Sequence, residues 1–93
     1  PYSPWGLRIK SRENITQTKA FQEGLIEVQD EGSQMVAQLL EIQPGQSVLD
    51  LCAGAGGKTL ALAALLNNKG RVVATDTAAW RLKRTKERLK RAG

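Results

Sequence analysis

The chain has no histidine and a single cysteine, Cys52. Without histidine it lacks the side chain most used for proton transfer near neutral pH and for binding zinc, so no metal site is expected. One cysteine excludes an internal disulfide. Aromatic residues make up only 4% of the chain, so large rings contribute little to any core. No apolar run approaches the roughly 18 to 20 residues needed to cross a bilayer. The start, Pro1-Tyr2-Ser3-Pro4-Trp5, lacks the charged-then-apolar pattern of a secretion signal. A soluble cytoplasmic protein without membrane contact is therefore expected. Its 93 residues allow one small domain with limited apolar area to bury.

The net charge of +5 is local. From Arg81 to Arg91 seven basic side chains face only Glu87, so this stretch carries the whole excess. A clustered basic patch is the electrostatic footprint of a nucleic-acid partner, although a solvated helix face reads the same way.

The N-terminal part is polar and sparse in apolar anchors. Alternation in Leu7-Arg8-Ile9-Lys10 predicts a short half-exposed strand, and Leu25-Ile26-Glu27-Val28 a second. Between them, residues 11–24 read as loop with one helical turn. Residues 1–29 are thus an extension with short strands, and residues 30–93 the first part of a larger domain. Asp30 is placed to cap a helix running from Glu31 to about Glu41, with Met35, Val36, Leu39 and Leu40 as its buried stripe. Pro44-Gly45 turns the chain into a strand, Ser47 to Leu51. A helix from Gly57 to about Asn67 follows, apolar nearly all round, with Leu60, Ala61, Ala64 and Leu65 on one face. Asn67-Asn68-Lys69-Gly70 closes it, and Arg71 to Asp76 forms a second strand. A last helix begins near Thr77, with Ala78, Leu82, Thr85, Leu89 and Ala92 on one stripe and Lys83–Glu87 and Glu87–Arg91 as i, i+4 pairs. The β-α-β order implies a parallel pair with a right-handed crossover. Two strands are few for a parallel sheet, which is normally covered on both faces, so the chain reads as part of a longer α/β domain continuing beyond Gly93.

The junction Asp50-Leu51-Cys52-Ala53-Gly54-Ala55-Gly56-Gly57-Lys58-Thr59 carries the functional information. A strand, a glycine-rich turn and a helix N-terminus together bring bare backbone against a ligand. Gly57-Lys58-Thr59 matches the end of a phosphate-binding P-loop, but the glycine that motif needs five positions before Gly57 is Cys52. Gly54 and Gly56 match the first two glycines of a dinucleotide fingerprint, whose third position holds Thr59. Asp50-x-Cys52-x-Gly54-x-Gly56 follows the acid-x-Gly-x-Gly-x-Gly spacing of S-adenosylmethionine loops, with cysteine in the first glycine position. Asp76, at the tip of the next strand, is placed to accept ribose hydroxyls, as the equivalent acid does in adenosine-binding folds.

Residues 50–59 resemble the first motif of the Sun (Fmu) family of RNA cytosine-5 methyltransferases, usually Asp-x-Cys-Ala-Ala-Pro-Gly-Gly-Lys-Thr, and most closely its bacterial members acting on 16S ribosomal RNA. Gln29-Asp30-Glu31-Gly32-Ser33 resembles the Gln-Asp-x-x-Ser element that precedes it. Val73-Ala74-Thr75-Asp76, Arg81-Leu82 and Arg91-Ala92-Gly93 resemble the next motif. Gly54-Ala55 departs from the common Ala-Pro and loosens the loop while keeping backbone access.

The resemblance implies the first part of a Rossmann-like class I methyltransferase fold, β-α-β-α with an upstream helix and short strands. It implies S-adenosylmethionine as cofactor, held by Cys52, Ala53, Gly54, Ala55, Gly56, Gly57 and Lys58 with Asp76 on the ribose, and RNA as partner. Arg81 is a candidate for orienting the adenosine end. In that family a cysteine thiolate adds to the cytosine ring so that the neighbouring carbon can take the methyl group. The cysteines involved belong to later motifs, so this stretch holds no catalytic residue. Cys52 is then expected to be a small residue packed under the loop, not a nucleophile. Tyr2 and Trp5 are expected to cover a core edge, Arg8, Lys10 and Arg12 to line a strand edge, and Trp80 either to border the adenine or to shield apolar surface. The alternative reading is a basic RNA-binding module that keeps the cofactor fold without catalysis.

Overall fold

The computed structural model describes residues 2–93. After a 3-10 turn at Ile15–Gln17 come α1 (Lys19–Gln22), α2 (Glu31–Leu39), β1 (Ser47–Asp50), α3 (Gly57–Leu65), β2 (Arg71–Ala74) and α4 (Ala79–Ala92). β1 and β2 are parallel neighbours, with Ser47 opposite Arg71 and Asp50 opposite Ala74. α3 is the crossover between them, and α4 follows, giving the β-α-β-α order.

The helix boundaries follow local chemistry. Asp30 caps α2, its carboxylate accepting from the Ser33 amide at 3.0 Å and from the Ser33 hydroxyl at 2.6 Å. These two bonds, first the hydroxyl and then the amide, hold the Asp30 carboxyl below its ordinary range. After α3 the chain reverses through Asn67 and Asn68, at φ +52° and +53°, a left-handed conformation that asparagine tolerates better than most residues.

The core lies where α3 meets the sheet and its neighbouring helices. Thr59, Leu62 and Leu66 are the buried positions of α3 and its C-cap, at i, i+3 and i+7. The stripe expected from composition, Leu60, Ala61, Ala64 and Leu65, is less covered, because apolar content nearly all round the helix left its orientation undetermined. In α2 the expected stripe is also displaced. Ala37 is the buried residue, while Val36, Leu39 and Leu40 are exposed. The small alanine lets α2 approach α3 closely, and the larger side chains are turned away.

Along the sheet, Val48, Asp50, Val72 and Ala74 are half-buried on the α3 side. Leu49 and Val73 point to the opposite face and are exposed, as is Leu51 beyond β1. One face of this parallel pair therefore has no cover among the described residues.

The two short strands expected in the N-terminal extension do not form. Residues 7–10 and 25–28 have no strand conformation, and Leu7 and Ile9 are exposed. An isolated strand leaves its backbone groups without ladder partners, and neither segment meets a sheet edge. Side chains fix the second segment instead. Glu27 accepts from Arg88 and Arg91, and Gln34 Nε2 donates to the Gln29 carbonyl at 3.1 Å. Arg91 also lies over the Phe21 ring, 3.9 Å from its centroid. The i, i+4 pairs expected within α4 are absent among the described ion pairs; Arg91 is recruited across the fold by Glu27 in place of Glu87. Tyr2 is exposed and covers no core edge; Arg8, Lys10 and Arg12 are exposed on irregular chain.

Candidate functional site

β1 leads directly into the glycine loop, which is pinned to both flanking elements. Thr59 Oγ1 donates to Asp50 Oδ2 at 2.7 Å, tying the first turn of α3 to the end of the strand. The Thr75 amide donates to the Asp50 carbonyl at 2.8 Å and the Ala53 amide to the Thr75 carbonyl at 2.9 Å, so the two chains stay paired beyond the strands. Ala53 is buried beneath the loop.

Two glycines then shape the turn for different reasons. Gly56 sits at φ +90°, and a Cβ there would stand 2.7 Å from Thr85 Cγ2, so a side chain is excluded by both conformation and contact. Gly54 sits at φ +57°, and a Cβ there would meet no protein atom within 4 Å. Gly56 is closed against α4, whereas Gly54 opens onto unfilled space.

Asp76 stands beside that opening with its side chain only 6% exposed. Oδ1 accepts from the Ala78 amide at 2.8 Å and Oδ2 from the Gly54 amide at 2.9 Å. These two bonds, with the Arg81 guanidinium 3.9 Å away, hold the carboxyl below its ordinary value of 3.8 against the opposing effect of burial. The side chain is thus an anion at neutral pH. Two backbone donors leave about two of the roughly four lone-pair directions of a carboxylate free.

The structure brings Ala53, Gly54, Ala55, Gly56, Gly57 and Asp76 together around one turn. Lys58 is exposed on the first turn of α3, where its charge helps to lower the Asp30 carboxyl. Cys52 is exposed, contrary to its expected place under the loop. It continues the outward course of Leu51, and Ala53 fills the covered position instead. Trp80 is 60% exposed and shields little apolar surface. The Arg81 and Arg84 guanidinium carbons lie 5.2 and 5.3 Å from its ring centroid, a cation–π pair on an exposed ring.

Sequence reasoning missed Thr85, Arg88 and Glu27 as parts of the site's frame. Thr85 was one sign: a hydroxyl on the buried stripe of a helix must find an acceptor. Its partner is the Gly54 carbonyl at 3.0 Å. A separate cavity of about 440 Å³ lies between the N-terminal segment and α3, lined by Trp5, Leu25, Leu60 and Ala64 among others. It is largely apolar and includes neither Gly54 nor Asp76, so the open side of the loop is the better candidate for a polar ligand.

Similar sequences and structures are found among known proteins. A ribosomal RNA small subunit methyltransferase B from Pseudomonas syringae pv. tomato is 42% identical over 92 residues, covering 99% of this chain and 20% of the relative. A tRNA (cytosine(72)-C(5))-methyltransferase from Pyrococcus horikoshii is 36% identical over 80 residues, covering 86% of this chain and 21% of the relative. The crystal structure of NSun6 from Pyrococcus horikoshii with SFG superposes with a TM-score of 0.83 at 35% identity, over 88% of this chain and 21% of that one. The chain therefore spans about a fifth of the length of these relatives. Residues 37–93, more than half of the chain, match the family described as 16S rRNA methyltransferase RsmB/F. With that match over more than half of its length, the chain belongs to the RsmB/F family of 16S rRNA methyltransferases.

Proposed function

We propose that this chain is the S-adenosylmethionine-binding part of a cytoplasmic RNA cytosine-5 methyltransferase acting on ribosomal RNA. The observation that carries the reading is the opening at Gly54 beside the Asp76 carboxylate. A ligand can approach the backbone there without meeting a side chain, and an anion with free lone pairs stands within the same turn. The relatives named above are RNA methyltransferases, and one neighbouring structure was solved with SFG.

In this reading residues 52–58 line the methionine and adenosine parts of the cofactor, and Asp76 accepts from the ribose hydroxyls. Bound there, the cofactor supplies an electrophilic sulfonium methyl group. The chain's own residues bind and orient it: the Gly54 conformation gives access, and Asp76, kept ionised chiefly by the Ala78 and Gly54 amides, both braces the loop and holds the sugar. RNA is the partner suited to the exposed cations of α4, Lys83, Arg84, Lys86 and Lys90, which make no ion pair among the described residues. Arg88 and Arg91 are engaged with Glu27 and are not part of that surface.

The test is calorimetric titration of S-adenosylmethionine into the full-length gene product and its Asp76→Ala variant. One equivalent binds the unaltered protein. Loss of a hydrogen bond to a charged group weakens the variant roughly ten- to a hundredfold. Absence of binding by the unaltered protein would leave only an RNA-binding module with a cofactor-like fold.

A further inference from the structure

The cofactor loop is gripped from behind by α4. Thr85 is 3% exposed, and its Oγ1 lies 3.0 Å from the Gly54 carbonyl and 3.3 Å from the Arg81 carbonyl one turn back. Its methyl group fills the space that a Cβ on Gly56 would need. One turn further along the helix, Arg88 Nη1 donates to the Ala55 carbonyl at 2.9 Å, while its Nε pairs with Glu27. Two successive loop carbonyls are therefore held by two side chains of one helix. Glu27 in turn anchors Arg88 through the segment preceding α2.

A trans peptide is planar, with its C=O and N–H pointing in opposite directions. Drawing the Gly54 carbonyl towards Thr85 aims the Ala55 N–H away from α4. That amide donates to no group among the described residues. Without the grip, the 54–55 peptide plane is free to turn, because Gly54 has no side chain to oppose rotation.

We propose that Thr85 and Arg88 are positioning residues, which hold the loop from Ala53 to Gly57 in the conformation that receives the cofactor. Arg88 makes this conformation depend on Glu27, so the extension before α2 contributes to the site without touching a ligand. The proposal rests on reading this loop as the S-adenosylmethionine site.

The experiment uses the full-length gene product with Thr85→Val, Thr85→Ser and Arg88→Met. Valine keeps the shape of threonine and removes the donor; serine keeps the donor and loses the methyl group. Amide hydrogen exchange of residues 53–57 without cofactor reads the loop, and S-adenosylmethionine titration reads the site. Urea unfolding checks global stability. The expected result is faster loop exchange and roughly three- to tenfold weaker binding for Thr85→Val and Arg88→Met, with an unchanged unfolding midpoint for at least Arg88→Met. The KM for S-adenosylmethionine rises while kcat at saturation stays, and Thr85→Ser restores both readouts. If Thr85→Val unfolds the protein, Arg88→Met alone decides. Wild-type exchange and affinity in Arg88→Met together with Thr85→Val, or in Arg88→Met alone in that case, would overturn the proposal. If no form binds S-adenosylmethionine yet loop exchange still responds to the variants, the grip stands and the cofactor reading fails.

Discussion

At the scale of single residues, the two loop glycines separate folding from binding. Gly56→Ala forces an ordinary residue to φ +90° and drives its Cβ into Thr85. A left-handed conformation in a residue with a Cβ costs roughly 1–3 kcal/mol before the clash is added. Urea unfolding is therefore expected to show a loss of at least that size. Gly54→Ala meets no protein atom and carries only the conformational part of the cost, but it fills the opening. Its unfolding midpoint falls less than that of Gly56→Ala, while its S-adenosylmethionine affinity falls more. Equal effects of the two substitutions on affinity would contradict the assignment. Asp76 adds a pH dependence. Its folded pKa lies below the ordinary 3.8, so the stabilisation it gives the loop is fully present above that value. It is lost as pH falls through the lowered folded value. Loop exchange, corrected for its intrinsic pH dependence, is expected to be flat from neutral pH down to about 5 and to rise only in stronger acid.

At the scale of elements, α4 has two sides with different tasks. Thr85, Arg88 and Arg91 face the loop and Glu27, whereas Lys83, Arg84, Lys86 and Lys90 face outward. For single-stranded RNA the slope of log affinity against log salt changes by about 0.7 for each phosphate contact. Replacing Arg84 and Lys86 by alanine is expected to reduce that slope by about 1.4 and to leave cofactor affinity unchanged. A slope that does not move excludes these two side chains from the RNA surface. How legible each element was depended on local chemistry. Asp30, Pro44-Gly45 and Asn67-Asn68 mark boundaries through capping and positive φ, effects that act within a few residues, and the helices and strands begin and end close to them. The packing faces of α2 and α3 were hidden, because alanine and leucine spread around a helix give periodicity no single direction. The supposed strands at 7–10 and 25–28 have the right alternation, but alternation does not supply a partner edge. The Glu27–Arg88–Ala55 connection joins residues far apart in the chain, and nothing in the order of residues announces it.

At the scale of the whole molecule, the exposed face of the sheet is the most consequential feature. Leu49, Leu51 and Val73 lie on a surface that a parallel sheet normally buries. In a longer polypeptide this face is expected to be covered. Leu49→Ala then costs about 2–5 kcal/mol in the full-length gene product and almost nothing in the 93-residue chain alone, as read by urea unfolding of each. A similar small effect in both would mean that the face remains open. The loop was the most legible part of the site because glycine spacing, the acid after β2 and the flanking motifs are all written locally. Its supports were not, since they come from α4 and the extension. The most direct test of the cofactor site is calorimetric titration of S-adenosylmethionine into the full-length gene product beside its Gly54→Ala and Asp76→Ala variants. One site is expected, weakened roughly tenfold or more by either substitution. Binding that ignores both substitutions would contradict it.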